Sequence, residues 1–486
     1  MFSHPTNKPG AEKLPDEITT QELHQIKFKW RQTQNLIRDH INPKKTPGHD
    51  LINGNILKKL PAKAIKLLTY IFNAILQTGY FPESWKVSQI IMIPKPGKDV
   101  TKVNSYRPIS LLPILSKLFE KMLLEKLKPV LHEKKIIPDH QFGFRQEHGT
   151  VEQVHRVVSE IRSSLERKQY CSAAFLDIAQ AFDKVWHEGL LYKIRTLLPN
   201  CFYEVIKNYM VNRKFFVKYN SASTNLYEIH AGVPQGSVLG PVLYLIFTAD
   251  LPTSNKVKVS TFADDTAILA THQNPAEASR ILQEHLDKIQ IWLNKWRIKV
   301  NESKSVHITF TLRKLTCPPV KLNNINLTQS QNIKYLGLHV DRRLTWKKHI
   351  ETKCQQIKLK LSKINWLIGK HSTLSLECKI LLYKMIIKPI WTYGIQLWGS
   401  ACASNIIKLQ RVQSKILRTI LYAPWYVRNT TIHRDLNIET VADTIKQHSK
   451  KYQLKLNQHP NLLARELLRR PSIRRLQKKD PLDLTL

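Results

Sequence analysis

Three carboxylates in two separate clusters define the chemistry this sequence can support. Asp177 follows the apolar Phe175-Leu176 and precedes Ile178-Ala179-Gln180-Ala181-Phe182-Asp183, while Asp264-Asp265 stand inside Thr261-Phe262-Ala263-Asp264-Asp265-Thr266-Ala267. Carboxylates set side by side in apolar surroundings repel one another and are costly to keep ionised unless divalent cations neutralise them. A grouping of that kind suits two-metal phosphoryl transfer, in which one ion activates a hydroxyl and the other steadies the leaving pyrophosphate. Taken alone, Asp-Asp is also an ordinary turn dipeptide. Asp183 has a simpler expected place, at a helix start where a carboxylate suits the dipole.

For this chemistry the two clusters must be carried to one point by the elements around them. Tyr170 to Ile178 reads as an apolar strand, followed by a helix on which Phe182, Val185, Trp186 and Ile194 share a broad face. Lys256 to Ala270 alternates as a hairpin with the acidic pair at its bend. Helical spacing runs from Ile56 to Leu76, stopping at Gly79, and again over Leu111 to Leu131 and Val151 to Leu165. Val87 to Ile93 is a short β-like run that ends in the basic turn Pro94-Lys95-Pro96-Gly97-Lys98. Gly232 to Ser237 forms a turn leading into a buried helix, Val238 to Leu251. Asn274-Pro275 caps a further helix, and the chain after Leu344 is largely helical and rich in lysine. The order strand, helix, helix, hairpin, helix predicts a split βαββα sheet with helices on one side, in which the end of the Asp177 strand and the hairpin bend can meet.

Charge identifies the class of partner. The 76 Lys and Arg against 37 Asp and Glu give a net charge of +39, a strong self-repulsion unless a polyanion shares the surface. Nucleic acid is the expected partner, with an affinity that falls steeply with salt. No apolar stretch is long enough to span a bilayer, since Leu381 to Trp398 is interrupted by Lys384, Lys388 and Pro389, so no integral membrane association is expected. The six cysteines are scattered without a Cys-x-x-Cys pair, and Met1 to Gly10 has no apolar signal core. Both features predict an intracellular protein, in the nucleus or the cytoplasm. The basic tail Arg469-Arg470, Arg474-Arg475, Lys478-Lys479 reads as a phosphate-binding or nuclear-import patch, or as a solvated end.

Taken in order, a series of motifs resembles the reverse transcriptases of non-LTR retrotransposons, the insect Jockey-like elements above all. The series comprises Ser105-Tyr106-Arg107-Pro108-Ile109-Ser110-Leu111-Leu112, Gln141-Phe142-Gly143-Phe144-Arg145 with His148-Gly149-Thr150, and the Asp177 block. It continues through Gly232-Val233-Pro234-Gln235-Gly236-Ser237, Phe262-Ala263-Asp264-Asp265, Asn301-Glu302-Ser303-Lys304 and Tyr335-Leu336-Gly337. One such motif is weak evidence, but an ordered series spanning Pro82 to Asp341 is specific.

The resemblance implies an α+β, right-hand polymerase fold with fingers, a palm built on the split βαββα antiparallel sheet, and a helical thumb. The corresponding divisions are an N-terminal extension (1–74), fingers and palm (75–341), and a helical thumb with a basic C-terminal region (342–486). It implies that Asp177 and Asp264 ligate two Mg²⁺ ions, for which Mn²⁺ can substitute, with the main-chain carbonyl of Ile178 assisting and Asp265 completing the acidic site. Phe182 matches the ring that disfavours ribonucleotides, although it also fits the apolar face of a helix. Gln235 and Gly236 match the turn that approaches the incoming nucleotide. Lys95 and Arg107 match cations that clamp its triphosphate, and Lys304 matches a proton donor to pyrophosphate. The implied partners are an RNA template, a DNA primer or target, and dNTPs. Family proteins carry an amino-terminal endonuclease for which about 75 residues before the fingers are too few, so a truncated copy is expected. A non-catalytic nucleic-acid-binding relic is the alternative from another class. An RNA-dependent RNA polymerase is a second alternative, opposed by Phe182.

Overall fold

The computed structural model describes residues 26–469, 473–476 and 478–485. In chain order the principal elements are helices α1 (Trp30–His40) and α2 (Ala62–Thr78), strands β1 (Val87–Pro94) and β2 (Tyr106–Leu111), helices α3 (Ile114–Glu133) and α4 (Thr150–Glu166), strand β3 (Tyr170–Leu176), helices α5 (His187–Leu197) and α6 (Asn200–Met210) and strand β4 (Lys214–Tyr219). Helix α7 (Gly240–Phe247), strands β5 (Val257–Phe262) and β6 (Asp265–His272), helix α8 (Pro275–Lys295), strand β7 (Val306–Phe310) and helices α9 (Lys347–Ile368), α10 (Ala403–Leu421) and α11 (Val441–Asn457) follow. They belong to two compact units. Among the described residues, the first comprises those within 26–138, 178–251 and 291–299, and the second those within 139–177, 252–290 and from 300 onward.

In the first unit, α2 starts after Pro61 and stops at Gly79, whose left-handed φ of 66° a side chain would disfavour. Ile65, Leu68, Phe72 and Ile75 form its buried stripe. The single helix expected from Ile56 is interrupted by Pro61: a short helix, Gly54–Lys58, ends before it, because proline cannot continue a helix from behind. Helix α3 likewise begins at Ile114 rather than Leu111. Tyr106–Leu111 instead pairs antiparallel with β1, from Gln89 opposite Leu111 to Pro94 opposite Tyr106. Strand β2 is an edge strand beside β1, with β4 parallel on the far side, which is where Pro108 is tolerated. Glu120 of α3 is fully buried, and its carboxylate accepts from the amides of Val238 (2.7 Å) and Leu239 (3.1 Å) and from the Ser116 hydroxyl (3.0 Å). These bonds fix the turn that enters α7 and satisfy amides that a helix start leaves open.

The second unit is built on a sheet in which β3 lies between β6 and β7, with β5 beyond β6. Both pairings of β3 are antiparallel. Val154, Val157, Val158, Ile161 and Leu165 of α4 pack with Cys171, Ala173 and Phe175 of β3 and with Ala267, Leu269, Ile308 and Phe310. On the opposite face, the Ser172 hydroxyl meets Ser279 of α8 (3.4 Å) and His307 of β7 (2.8 Å). Helices therefore cover both faces of this sheet, not one. A strand buried on both sides carries a continuous run of small and apolar residues, and Tyr170-Cys171-Ser172-Ala173-Ala174-Phe175-Leu176 is buried at every position.

Several basic residues of the tail make internal bonds. Arg475 donates to the carbonyls of Leu165 and Glu166 at the end of α4, and its amide and that of Leu476 bond the Glu166 carboxylate. Arg162 pairs with Asp480 at 2.7 Å, Arg474 pairs with Asp483, and Lys478 donates to the Arg343 carbonyl. A freely solvated end does not account for these contacts; Arg470 lies outside the described residues. No helix among the described residues is long and apolar enough to cross a membrane.

Candidate active site

Strand register brings the two acidic clusters of the second unit to one edge. Leu176 pairs with Thr266, so one further step in each direction sets Asp177 across from Asp265. Phe262 pairs with Asp265, leaving Ala263 and Asp264 as the two central residues of a tight hairpin. Ala263 takes a left-handed φ of 56°, a conformation glycine usually supplies in such turns. The end of β3 is held from the other side by the Asn301-Glu302-Ser303-Lys304-Ser305 turn. The Asp177 amide donates to Ser305 Oγ (3.1 Å), the Asn301 amide donates to the Asp177 carbonyl (2.8 Å), and Ser305 Oγ donates back to the Asn301 carbonyl (2.9 Å). Lys304 Nζ lies 3.4 Å from Asp177 Oδ2, an exposed ion pair.

Electrostatics report the same convergence. Burial first, then the charges of Asp264 and Asp177, push the Asp265 carboxyl up to about 6. Asp264 is raised by burial and by Asp177. Asp265 is nonetheless exposed by surface area, so its carboxyl is crowded by protein and by the two neighbouring carboxylates without being sealed from water.

Gln141 is the residue sequence reasoning missed. It is buried beside β5, and its amide side chain clamps the backbone N–H and C=O of one turn residue, Ala263. Oε1 accepts from the amides of Ala263 (2.9 Å) and Gly143 (2.7 Å), and Nε2 reaches the Ala263 carbonyl at 3.4 Å. Gly143 has no room for a side chain, because a Cβ there would collide with the Ala263 backbone. The available signal was a buried amide paired with a glycine two residues on, in Gln141-Phe142-Gly143. Gln141→Leu leaves two buried amides without an acceptor, at about 1–3 kcal/mol each. The variant is expected to lower the thermal midpoint of the protein clearly below that of wild type; an unchanged midpoint would remove this positioning role.

In the first unit a second set of candidates is drawn together. No helix directly follows Asp177; residues 179–184 form turns and α5 begins at His187. Those turns are pinned to the 232–237 segment, since Val233 donates to the Phe182 carbonyl and Gly232 to that of Val185, both at 2.8 Å. Phe182 is half-buried and stacks on Tyr244 of α7 with centroids 4.9 Å apart and planes at 25°. Asp183 does not cap a helix. It is buried and accepts from Gln235 Nε2 at 2.8 Å, and burial raises its carboxyl to about 6 despite that bond and the charge of Lys95. The Gln235 carbonyl accepts from the Ser110 amide (2.7 Å), and Gly236, at φ 124°, lies against the Ser110 carbonyl where a Cβ would clash. Arg107 is exposed on β2 opposite Ile93, and Lys95, just past β1, donates to the Asn104 carbonyl at 2.9 Å. Both cations thus stand at one end of the β1–β2 ladder. Ile178 is the residue that follows Asp177 in the chain.

The profile of the "Reverse transcriptase (RNA-dependent DNA polymerase)" family matches residues 93–340, just over half of the chain. The chain belongs to the reverse transcriptase family. Among curated relatives, the "Probable RNA-directed DNA polymerase from transposon BS" of Drosophila melanogaster is 44% identical over 90% of this chain and 49% of its own length. The "RNA-directed DNA polymerase from mobile element jockey" is 44% identical in Drosophila melanogaster, over 87% of this chain and 47% of the relative. In Drosophila funebris it is 41% identical over 96% and 51%. This reverse transcriptase chain spans about half the length of the curated relatives it matches. Apo telomerase from Candida tropicalis aligns over 89% of this chain and 77% of its own with 14% identity and a TM-score of 0.40, too low for any inference.

Reverse transcriptases use divalent metal ions, and the carboxylates of this one fit such ions in kind. Among the described residues no three His, Cys, Asp or Glu side chains are drawn up at ligand spacing. The donors are nonetheless hard oxygens, and two of the three are raised by burial and further by their neighbours' negative charge, a repulsion that a cation removes. A consequence follows for stability. With Asp265 raised to about 6 from an unfolded value near ~3.9, the folded reverse transcriptase binds a proton in that window that the unfolded chain does not. Its contribution to stability therefore improves as pH falls through 6 and worsens as pH rises, and Asp183 acts in the same direction. Without metal, Asp265→Asn is expected to raise the thermal midpoint at neutral pH and to lose that advantage at mildly acidic pH. Melting curves at the two pH values, with and without Mg²⁺, test this; a variant less stable than wild type at neutral pH would contradict it.

Proposed function

We propose that this chain is an RNA-directed DNA polymerase of a non-LTR retrotransposon, adding dNTPs to a primer 3′-hydroxyl on an RNA template with release of pyrophosphate. The observation that carries the reading is the register that sets Asp177 against Asp264-Asp265 within the 93–340 span of the family. In this reading Asp177, Asp264, Asp265 and the Ile178 carbonyl hold two Mg²⁺ ions, with Mn²⁺ a substitute. When bound, they supply charge stabilisation for the attacking and leaving oxygens. Lys304, already paired with Asp177, is the proton donor to pyrophosphate.

On the first unit, the exposed Arg107 guanidinium and Lys95 bind triphosphate oxygens. Gln235 and Gly236 offer a side chain and a bare backbone to the nucleotide, and their posture is maintained by Asp183 and Ser110. Phe182, propped by Tyr244, presents a ring that excludes the 2′-hydroxyl. RNA template and DNA primer are held chiefly through phosphates, as a charge of +39 favours. The protein acts inside the cell, in the nucleus or the cytoplasm.

Purified protein given a primed RNA template, Mg²⁺ and either dNTPs or NTPs tests the proposal. Extension with dNTPs is expected. Absence of extension with either would favour a non-catalytic binding protein, and extension with NTPs alone would favour an RNA polymerase.

A further inference from the structure

Far along the chain from the carboxylates, the second unit carries a loop whose construction the polymerase chemistry does not use. It runs from Tyr422, the left-handed cap of α10 (φ 52°), to the short helix Asn429–Asp435. Arg418 holds it from beneath, donating to the carbonyls of Pro424 and Val427 (2.7 Å) and to Asn429 Oδ1 (2.8 Å). The Ala423 amide bonds back to the Arg418 carbonyl (3.0 Å), and the Val427 amide to that of Pro424 (3.2 Å). On this braced loop Trp425 is 88% exposed and Tyr426 70% exposed, with their rings 6.0 Å apart at 81°. Tyr422 is also exposed, with Lys370 Nζ 4.4 Å above its ring, and Trp366 on the last turn of α9 is a further exposed ring.

Single exposed apolar residues need no explanation. Here, however, a multidentate arginine orders a loop that displays two large rings to solvent. The surrounding charge indicates what covers them. Between Thr352 and Arg434 the chain has fourteen Lys and Arg against one carboxylate, Glu377; Lys388, Lys408 and Arg434 are paired with Glu439, Glu351 and Asp435 just outside that stretch, which still leaves it strongly basic. A ligand that is polyanionic and also offers flat apolar faces is a nucleic acid, and because a duplex hides those faces in its stack, the strand must be unpaired.

We propose that the Trp425-Tyr426 loop, with Tyr422 and Lys370, is a second polynucleotide site, one that stacks unpaired bases of single-stranded RNA or DNA apart from the catalytic carboxylates. Trp425 and Tyr426 are the stacking faces, and Lys370, Arg428 and the lysines of α9 draw the backbone.

Fluorescence anisotropy on the whole chain, without nucleotides or synthesis, tests this independently of the polymerase reading. Labelled single-stranded RNA, single-stranded DNA of the same sequence and a blunt duplex are titrated at salt high enough to suppress nonspecific phosphate contacts. The Trp425→Ala/Tyr426→Ala double variant is expected to keep its melting midpoint and to weaken single-strand binding roughly fivefold to a hundredfold. Duplex binding should change less than about twofold, and Trp425→Phe should retain most of the affinity. The larger loss among the RNA and DNA arms identifies the strand the site takes. Unchanged single-strand affinity would overturn the proposal, as would an equal loss on the duplex. Loss of binding to phosphatidylserine vesicles with single-strand binding intact would overturn it in favour of a membrane surface.

Discussion

Asp264→Asn should reduce primer extension by roughly a thousandfold or more while leaving the fold intact and, without metal, stabilising it. The first half follows from charge: cations held by carboxylates contribute several kcal/mol to a phosphoryl-transfer barrier, and each ~1.36 kcal/mol is a factor of ten. The second half follows from the turn. Asparagine suits the second central position of a two-residue hairpin as well as aspartate does. It also removes one of the charges that raise Asp265, while burial and Asp177 already disfavour ionised Asp264. Activity and stability therefore move in opposite directions, which a damaged fold cannot reproduce. Asp177→Ala should likewise lose synthesis and retain template binding, because its anchoring bonds use the backbone and only the Lys304 pair uses the side chain. Primer extension and thermal unfolding of the same preparations check both; retained synthesis in either variant would refute the assigned roles.

Phe182→Ala is expected to relax sugar selection. The ring is stacked on Tyr244 and half-buried rather than enclosed in a core, so its removal opens space beside the turn without stripping a packed interior. The backbone bond from Val233 to the Phe182 carbonyl is independent of the side chain, which keeps Gln235 and Gly236 in place. A contact of this kind discriminates by about 1–3 kcal/mol, or ~10–200-fold. The measurement is kcat/KM for dNTP against NTP on one primed template. Discrimination should fall into that range below wild type, with dNTP use reduced far less. An unchanged ratio would return Phe182 to a purely structural part.

Legibility in the sequence tracked how locally each feature is encoded. The Asp177 strand and the acidic hairpin were readable because apolar runs and alternation are properties of the segments themselves. The helical reading reaches back to Leu111 because Leu111 and Leu112 continue the apolar pattern of α3, while Tyr106–Leu111 shows its strand character only through pairing with β1. Strand β7 was passed over for the same reason: Val306–Phe310 is short, and its identity comes from lying beside β3. The stretch after Asp177 has helical composition, yet bonds from residues 232 and 233 hold it as turns. Asp183 and Gln141 act through partners more than fifty residues away, a relation no spacing rule displays. The tail reads as a basic patch or a solvated end, but Asp483 pairs with Arg474, the carbonyls of Leu165 and Glu166 take the Arg475 guanidinium, and the Glu166 carboxylate takes the amides of Arg475 and Leu476.

Counting bound Mn²⁺ by electron paramagnetic resonance on the protein with primed template and a non-extendable dNTP tests the central claim most directly. Wild type should bind two ions per chain, and Asp177→Asn and Asp264→Asn should each lose that occupancy while still holding template. Stoichiometry and affinity unchanged in both variants would mean that these carboxylates do not hold the ions and that the site lies elsewhere.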